Sequence, residues 1–187
     1  MISTSIYYHG STVGELTELI PYASPHSNLN KAAVYLSLSK ALSSIYIWSR
    51  EYKWMTFNIR QDGAPVYTET HKGALQEFYD GVRGYIYICE GSYSTDNATG
   101  IKLAAVSYEP VPIKECETVE NAYEKILSYA HSGDIIIRRY EDLTEREHDS
   151  NRKMILGAIN RLNLLNGKHP LSPFVKSHFP ELRKEMK

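Results

Sequence analysis

A chain of 187 residues, 42% hydrophobic and 23% charged, can bury a core and is too apolar to be a disordered segment, so one domain is expected. Its formal net charge of −1 points to no particular class of partner. The N-terminus lacks a basic start and an apolar leader core, and no run approaches roughly 18 apolar residues, which predicts a soluble, cytoplasmic protein with no membrane partner.

In chain order, "SIYYHG" (5–10) and "AVYLSL" (33–38) read as strands, rich in Ile, Val and Tyr and bounded by turn residues. "SKALSSIYIWSREY" (39–52) follows as a helix, with Ser39 as its N-cap. "WMTFNIR" (54–60) is a strand, and "PVYT" (65–68) a short strand or extended turn. "THKGALQEFYDGVRG" (70–84) reads as a structural excursion or an acceptor-side loop. "GYIYICEG" (84–91), "LAAVSYEPVPI" (103–113) and "DIIIRRY" (134–140) are further strands, with polar loops at 24–30 and 92–100. A helix is expected over 117–133, ending at Gly133. Another spans 143–167, opened by a Thr144–Glu147 capping box and closed by Gly167. A short terminal helix is split by Pro180. Strands with helices inserted early and collected late make an α+β pattern rather than alternating βαβ units. The expected division is a domain over 1–141 and a helical C-terminal extension over 142–187, packed on the same domain.

From residue 151 onward there are 8 Lys or Arg and 2 Asp or Glu, about +6, which leaves about −7 for residues 1–150. A basic end on an acidic body is usually a solvated helix face, and nucleic-acid association through it is the rival. Tyr supplies 15 of the aromatics against 4 Phe and 2 Trp, suited to half-buried strands and ligand-lined clefts. Cys89 and Cys116 have no CxxC or zinc spacing, and Cys89 sits in an apolar run as a small core residue. No phosphate-binding glycine loop, HExxH or GxSxG is present. The histidines at 9, 26, 71, 131, 148, 169 and 178 lack the i, i+4 pairing of a helix-borne metal site, so no metal is expected.

Two segments remain. "YYHGS" ends a strand in an imidazole and a flexible turn, and "VYLSLSKALSSIY" carries Tyr35 on a strand, then a helix with Ser43 and Ser44, then Tyr46. In this order, His9-Gly10-Ser11, Val34-Tyr35-Leu36-Ser37, Ser43 and Tyr46 resemble the NAD-binding half of the ADP-ribosyltransferase superfamily. The likeness is to its branch with a His-Tyr-acidic triad, which includes poly(ADP-ribose) polymerases and rifampin ADP-ribosyltransferases. "SYEPV" (107–111) also looks like the segment that closes the sheet in the rifampin-modifying proteins. The resemblance covers roughly residues 5–113.

The resemblance implies an ADP-ribosyltransferase-like split, mixed or antiparallel sheet with a cleft that takes NAD as substrate and no metal. It implies transfer of ADP-ribose to an unknown acceptor (protein, nucleic acid or small molecule) with release of nicotinamide. His9 would bond a ribose hydroxyl, the Gly10 backbone would hold the carboxamide, and Tyr35 and Tyr46 would wall the nicotinamide, with Ser11 and Ser43 lining the same pocket. His9 and Tyr35 would then face one dinucleotide-sized hollow. The carboxylate that stabilises the oxocarbenium-like transition state has no match on "GIKLAAVSY". Asp96 is the first choice for it, then Glu109, then Glu90. A non-catalytic NAD- or nucleotide-binding module of the same fold is the alternative reading.

Overall fold

The structure, a computed structural model, describes residues 5–23, 29, 31–50, 54, 57–96, 99–166 and 168–184. It is α+β. The centre is a five-stranded, fully antiparallel sheet in the order β7-β3-β1-β6-β9. These strands are β1 (Ser5–Ser11), β3 (Val34–Ser37), β6 (Gly84–Gly91), β7 (Ala104–Ser107) and β9 (Glu115–Val119). β1 and β6 pair along their whole length, from Ser5 opposite Gly91 to Ser11 opposite Tyr85. By contrast, β1 and β3 share only the pair Tyr8–Ser37.

Alternation along the strands sends side chains to two different cores. On one face Tyr7, Val34, Leu36, Tyr87, Cys89 and Ala105 pack with Leu19 and Val111. Those last two belong to β2 (Glu18–Leu19) and β8 (Val111–Pro112), a two-stranded antiparallel ribbon. The opposite face carries Ile86 and Tyr8 into the larger core. That core also takes up a three-stranded sheet, β10-β5-β4, formed by β4 (Phe57–Ile59), β5 (Pro65–Thr68) and β10 (Ile136–Arg138). β10 runs parallel to β5, and β4 antiparallel to it.

The helices pack on this larger core. They are α1 (Lys40–Ser44), α2 (Ala74–Tyr79), α3 (Ala122–Ser132), α4 (Glu145–Leu162) and α5 (Ser172–His178). Ser39 caps α1 by accepting from Leu42 N, and Thr144 with Glu147 forms the expected capping box of α4. Ile155 and Ile159 of α4, and Phe174 and Val175 of α5, join Trp48, Trp54 and Phe78 in one cluster. The C-terminal helices therefore complete the main core.

Several boundaries differ from the sequence reading. α1 stops at Ser44, and the chain continues as a turn whose Ile45 and Ile47 are fully buried. The 103–113 segment divides into β7 and β8 at Tyr108–Pro110. The start of the expected 117–133 helix is strand β9, and α3 begins only after its cap Asn121. α4 closes at Asn163 in the left-handed region (φ 51°), a conformation asparagine tolerates, while Gly167 lies outside the described residues. The 70–84 excursion contains α2, with Leu75, Phe78 and Tyr79 at the centre of the core. The predicted loop at 24–30 lies outside the described residues except Leu29.

Candidate functional site

The ladder between β1 and β3 ends immediately after Tyr8 and Ser37, at His9. There the His9 imidazole spans the opening, with Nδ1 2.8 Å from the main-chain oxygen of Tyr35. A carbonyl only accepts, so Nδ1 carries a proton and donates it to Tyr35 O. A side chain thus holds the two strands together where main-chain pairing has stopped.

Register decides which groups share a face. His9 lies opposite Tyr87 and Ser11 opposite Tyr85, and Tyr87 belongs to the face built on Tyr7, Val34 and Leu36. Tyr35 lies between Val34 and Leu36, so its ring points the other way, to the face of Tyr8, Ser37 and Gly10. The expectation that the His9 and Tyr35 side chains face one hollow is therefore corrected. They meet through imidazole and carbonyl oxygen, across the sheet plane.

Gly10 is where α1 docks. A β-carbon at residue 10 would stand 1.9 Å from the Ser43 carbonyl oxygen. Ser43 is buried, and its hydroxyl donates to Lys40 O at 2.7 Å, so that oxygen serves its own helix. Tyr46 follows α1, half-buried, edge-on to Phe57 at 6.1 Å, with burial pushing its phenol up to about 12. Gly10, Tyr35, Ser43 and Tyr46 thus belong to the α1 side of the sheet. Ser11 lies on the His9 side, where its hydroxyl accepts from Val13 N at 3.0 Å.

The three candidate carboxylates are distributed around the sheet. Ser94 bridges Val106, whose other neighbour is Tyr35, so one strand separates the Asp96 loop from Tyr35, about 10 Å. Asp96 is exposed and accepts a hydrogen bond from Ser94 Oγ. Glu90 lies opposite Ile6, about 10 Å along β1 from His9, and pairs with Lys114 Nζ at 2.6 Å. Glu109 is exposed beyond the end of β7, its main chain held in a turn by Ser107 Oγ. Asp96 is the only one of the three carried to the level of Tyr35.

Two carboxylates outside the predicted set have organised surroundings. Glu69, 1% exposed, accepts from Leu75 N (3.0 Å), Tyr140 N (3.0 Å) and Arg139 Nη1 (3.2 Å). It ties the ends of β5 and β10 to the start of α2. Beside it, a cavity of about 140 Å³ lined by Thr70, Tyr140, His148, Arg152 and Phe179 is below the roughly 300–1,000 Å³ typical of sites for drug-sized ligands. Glu77 lies between His71 and His178. No local spacing announces either group.

Comparison with protein-family models, curated proteins and solved structures gives no significant match. Among the described residues, no helix is long and apolar enough to cross a membrane.

Proposed function

We propose that this chain is an ADP-ribosyltransferase-like domain that engages NAD where β1 and β3 part, and transfers ADP-ribose from it with release of nicotinamide. What supports the reading is the ordered likeness of His9-Gly10-Ser11, Tyr35, Ser43 and Tyr46 to the ADP-ribosyltransferase superfamily, together with the meeting of His9 and Tyr35 through the Nδ1–main-chain oxygen bond at the end of the ladder. In this reading a ribose hydroxyl is held by the His9 imidazole, whose Nδ1 is bonded to Tyr35 O. Asp96 is the carboxylate this reading assigns to the developing positive charge at the anomeric carbon, with β7 and β3 between its loop and His9 on β1, about 14 Å by strand spacing. Tyr35, on the opposite face from His9, and Ser43, whose hydroxyl donates to Lys40 O, are given no contact with the ligand beside His9 in this reading.

Nicotinamide release from NAD by the purified chain tests this reading against His9→Ala and Asp96→Asn. Release above background that falls at least tenfold in both variants supports it. Equal, background-level release in all three removes the catalytic claim.

A second reading, NAD or nucleotide binding without turnover, is favoured by one observation: Glu90 is paired to Lys114, and Asp96 and Glu109 are exposed at the sheet's margin. Saturable NAD binding with no nicotinamide release distinguishes it.

A further inference from the structure

His71 and Glu77 come from the turn before α2 and the first turn of α2, and His178 is the last residue of α5, far along the chain. His71 Nε2 and His178 Nε2 each stand 2.9 Å from the same carboxylate oxygen, Glu77 Oε2. The other nitrogen of each ring is turned away and engaged. His178 Nδ1 lies 3.0 Å from Phe174 O and 2.9 Å from Ser177 Oγ. His71 Nδ1 lies 3.3 Å from Thr70 Oγ1, a hydroxyl fixed in turn by Trp54 Nε1 at 3.1 Å. Aromatic rings clamp both imidazoles. His178 stacks on Phe174 at 4.3 Å, and His71 meets Phe78 edge-on at 5.7 Å.

We propose that His71, Glu77 and His178 bind one divalent transition-metal ion, with Zn²⁺ as the fitting case, and that the ion fastens α5 to α2. The Phe174 carbonyl accepts only, so Nδ1 of His178 carries a proton and Nε2 is the nitrogen left to face Glu77 Oε2. Two imidazole nitrogens and one carboxylate oxygen then converge on one point. Without an ion, protons on the two Nε2 atoms can satisfy Glu77, since His71 Nδ1 can accept from the Thr70 hydroxyl; an ion bound here displaces those protons, with the ring centres 4.6 Å apart. One divalent ion satisfies all three atoms together. Each imidazole Nε2 lies 2.9 Å from Oε2 and all three atoms lie within 4.8 Å of one another, so small adjustments reach the separation of about 3.3 Å expected between tetrahedral zinc ligands. Two imidazoles select zinc, cobalt, nickel or copper over magnesium or calcium. Ring nitrogens held from behind are the usual outer support of such centres. Arg50 Nη2 stands 3.9 Å from the other oxygen, Glu77 Oε1, which leaves Oε2 as the single donor. Three protein ligands on a partly exposed carboxylate leave a fourth position for water. This inference is independent of the NAD reading.

The test is calorimetric titration of Zn²⁺ into the chelator-treated chain, with Co²⁺ absorption as the spectroscopic readout. The expected result is one equivalent bound, a tetrahedral Co²⁺ spectrum and a melting temperature that rises with Zn²⁺. His71→Ala, Glu77→Gln and His178→Gln should each weaken binding at least tenfold, whereas His131→Ala, outside the cluster, should leave it unchanged. Failure of the unsubstituted chain to bind one equivalent overturns the proposal whatever the variants do. So does binding that all three substitutions leave intact.

Discussion

Gly10 and Ser43 approach so closely that the Ser43 carbonyl oxygen occupies the space a β-carbon at residue 10 would need, 1.9 Å away. The obstacle is helix backbone, which cannot swing aside as a side-chain tip can. Gly10→Ala must therefore lift α1 off β1, and overpacking of this kind costs about 1–3 kcal/mol; we expect the upper end. Gly157→Ala in α4 meets nothing within 4 Å and replaces a helical glycine, so it should stabilise by about 0.5–1 kcal/mol. Urea unfolding of both variants checks the pair. A neutral Gly10→Ala would mean that α1 does not pack there.

Glu69 is a second anchor. Its removal takes the acceptor from the buried N–H of Leu75 and the half-buried N–H of Tyr140 and costs Arg139 one of its partners. Deleting one partner of a fully buried charge pair costs about 3–5 kcal/mol, and because Arg139 is one-third exposed Glu69→Ala should lower stability by less than that, about 2–3 kcal/mol. Glu69→Gln, which keeps one acceptor oxygen, should lose less. Equal losses in the two variants, measured by urea denaturation, would contradict the assignment of the carboxylate's acceptor bonds.

Acid sensitivity should come partly from Glu117 on β9, which pairs with Lys125 of α3 at 2.6 Å and with Lys40 of α1. Burial alone would raise its carboxyl, but the two ammonium groups outweigh burial and hold it below its ordinary 4.5. Because the folded value is the lower one, this contribution is complete above about pH 4.5 and is lost as the pH falls through the depressed value. Melting temperatures between pH 7 and pH 3 should fall less steeply for Glu117→Gln than for the parent chain. Parallel curves would remove Glu117 from the acid transition.

The cysteines should separate cleanly. Burial pushes the Cys89 thiol up to about 11, and Cys116 on β9 is exposed, its thiol raised by burial and by the Glu117 carboxylate. Iodoacetamide at pH 8 should label one thiol per folded chain, slowly, and Cys116→Ser should abolish that labelling. Two labels should appear in urea. Rapid modification of Cys89 in the folded chain would show that its strand opens readily.

How much of this could be read beforehand varied with how local the cause was. β1 and β6 announce themselves through Ile and Tyr runs, and the capping box at Thr144 needs only its own first turn. Edge strand β9 does not: in "ECETV" only Val119 is buried, so no alternation marks it. The helix expected over 39–52 ends at Ser44, because Ile45, Ile47 and Trp48 reach the core from a turn and leave the same apolar spacing a helix would. α2 was legible in principle, since Ala74, Leu75, Phe78 and Tyr79 recur at helical spacing. The candidate site shows the same limit. The sequence brings out His9 and Tyr35, but their facing depends on which residues of β1 and β3 are paired. His178 and Glu77 are 101 positions apart, and only the folded chain joins them.

The measurement closest to the central claim is calorimetric titration of NAD into the purified chain and into His9→Ala. Saturable binding to the parent chain, weakened at least tenfold without the imidazole, is the predicted result. Heats that show no saturable binding, or an affinity indifferent to residue 9, would contradict an NAD site where β1 and β3 part.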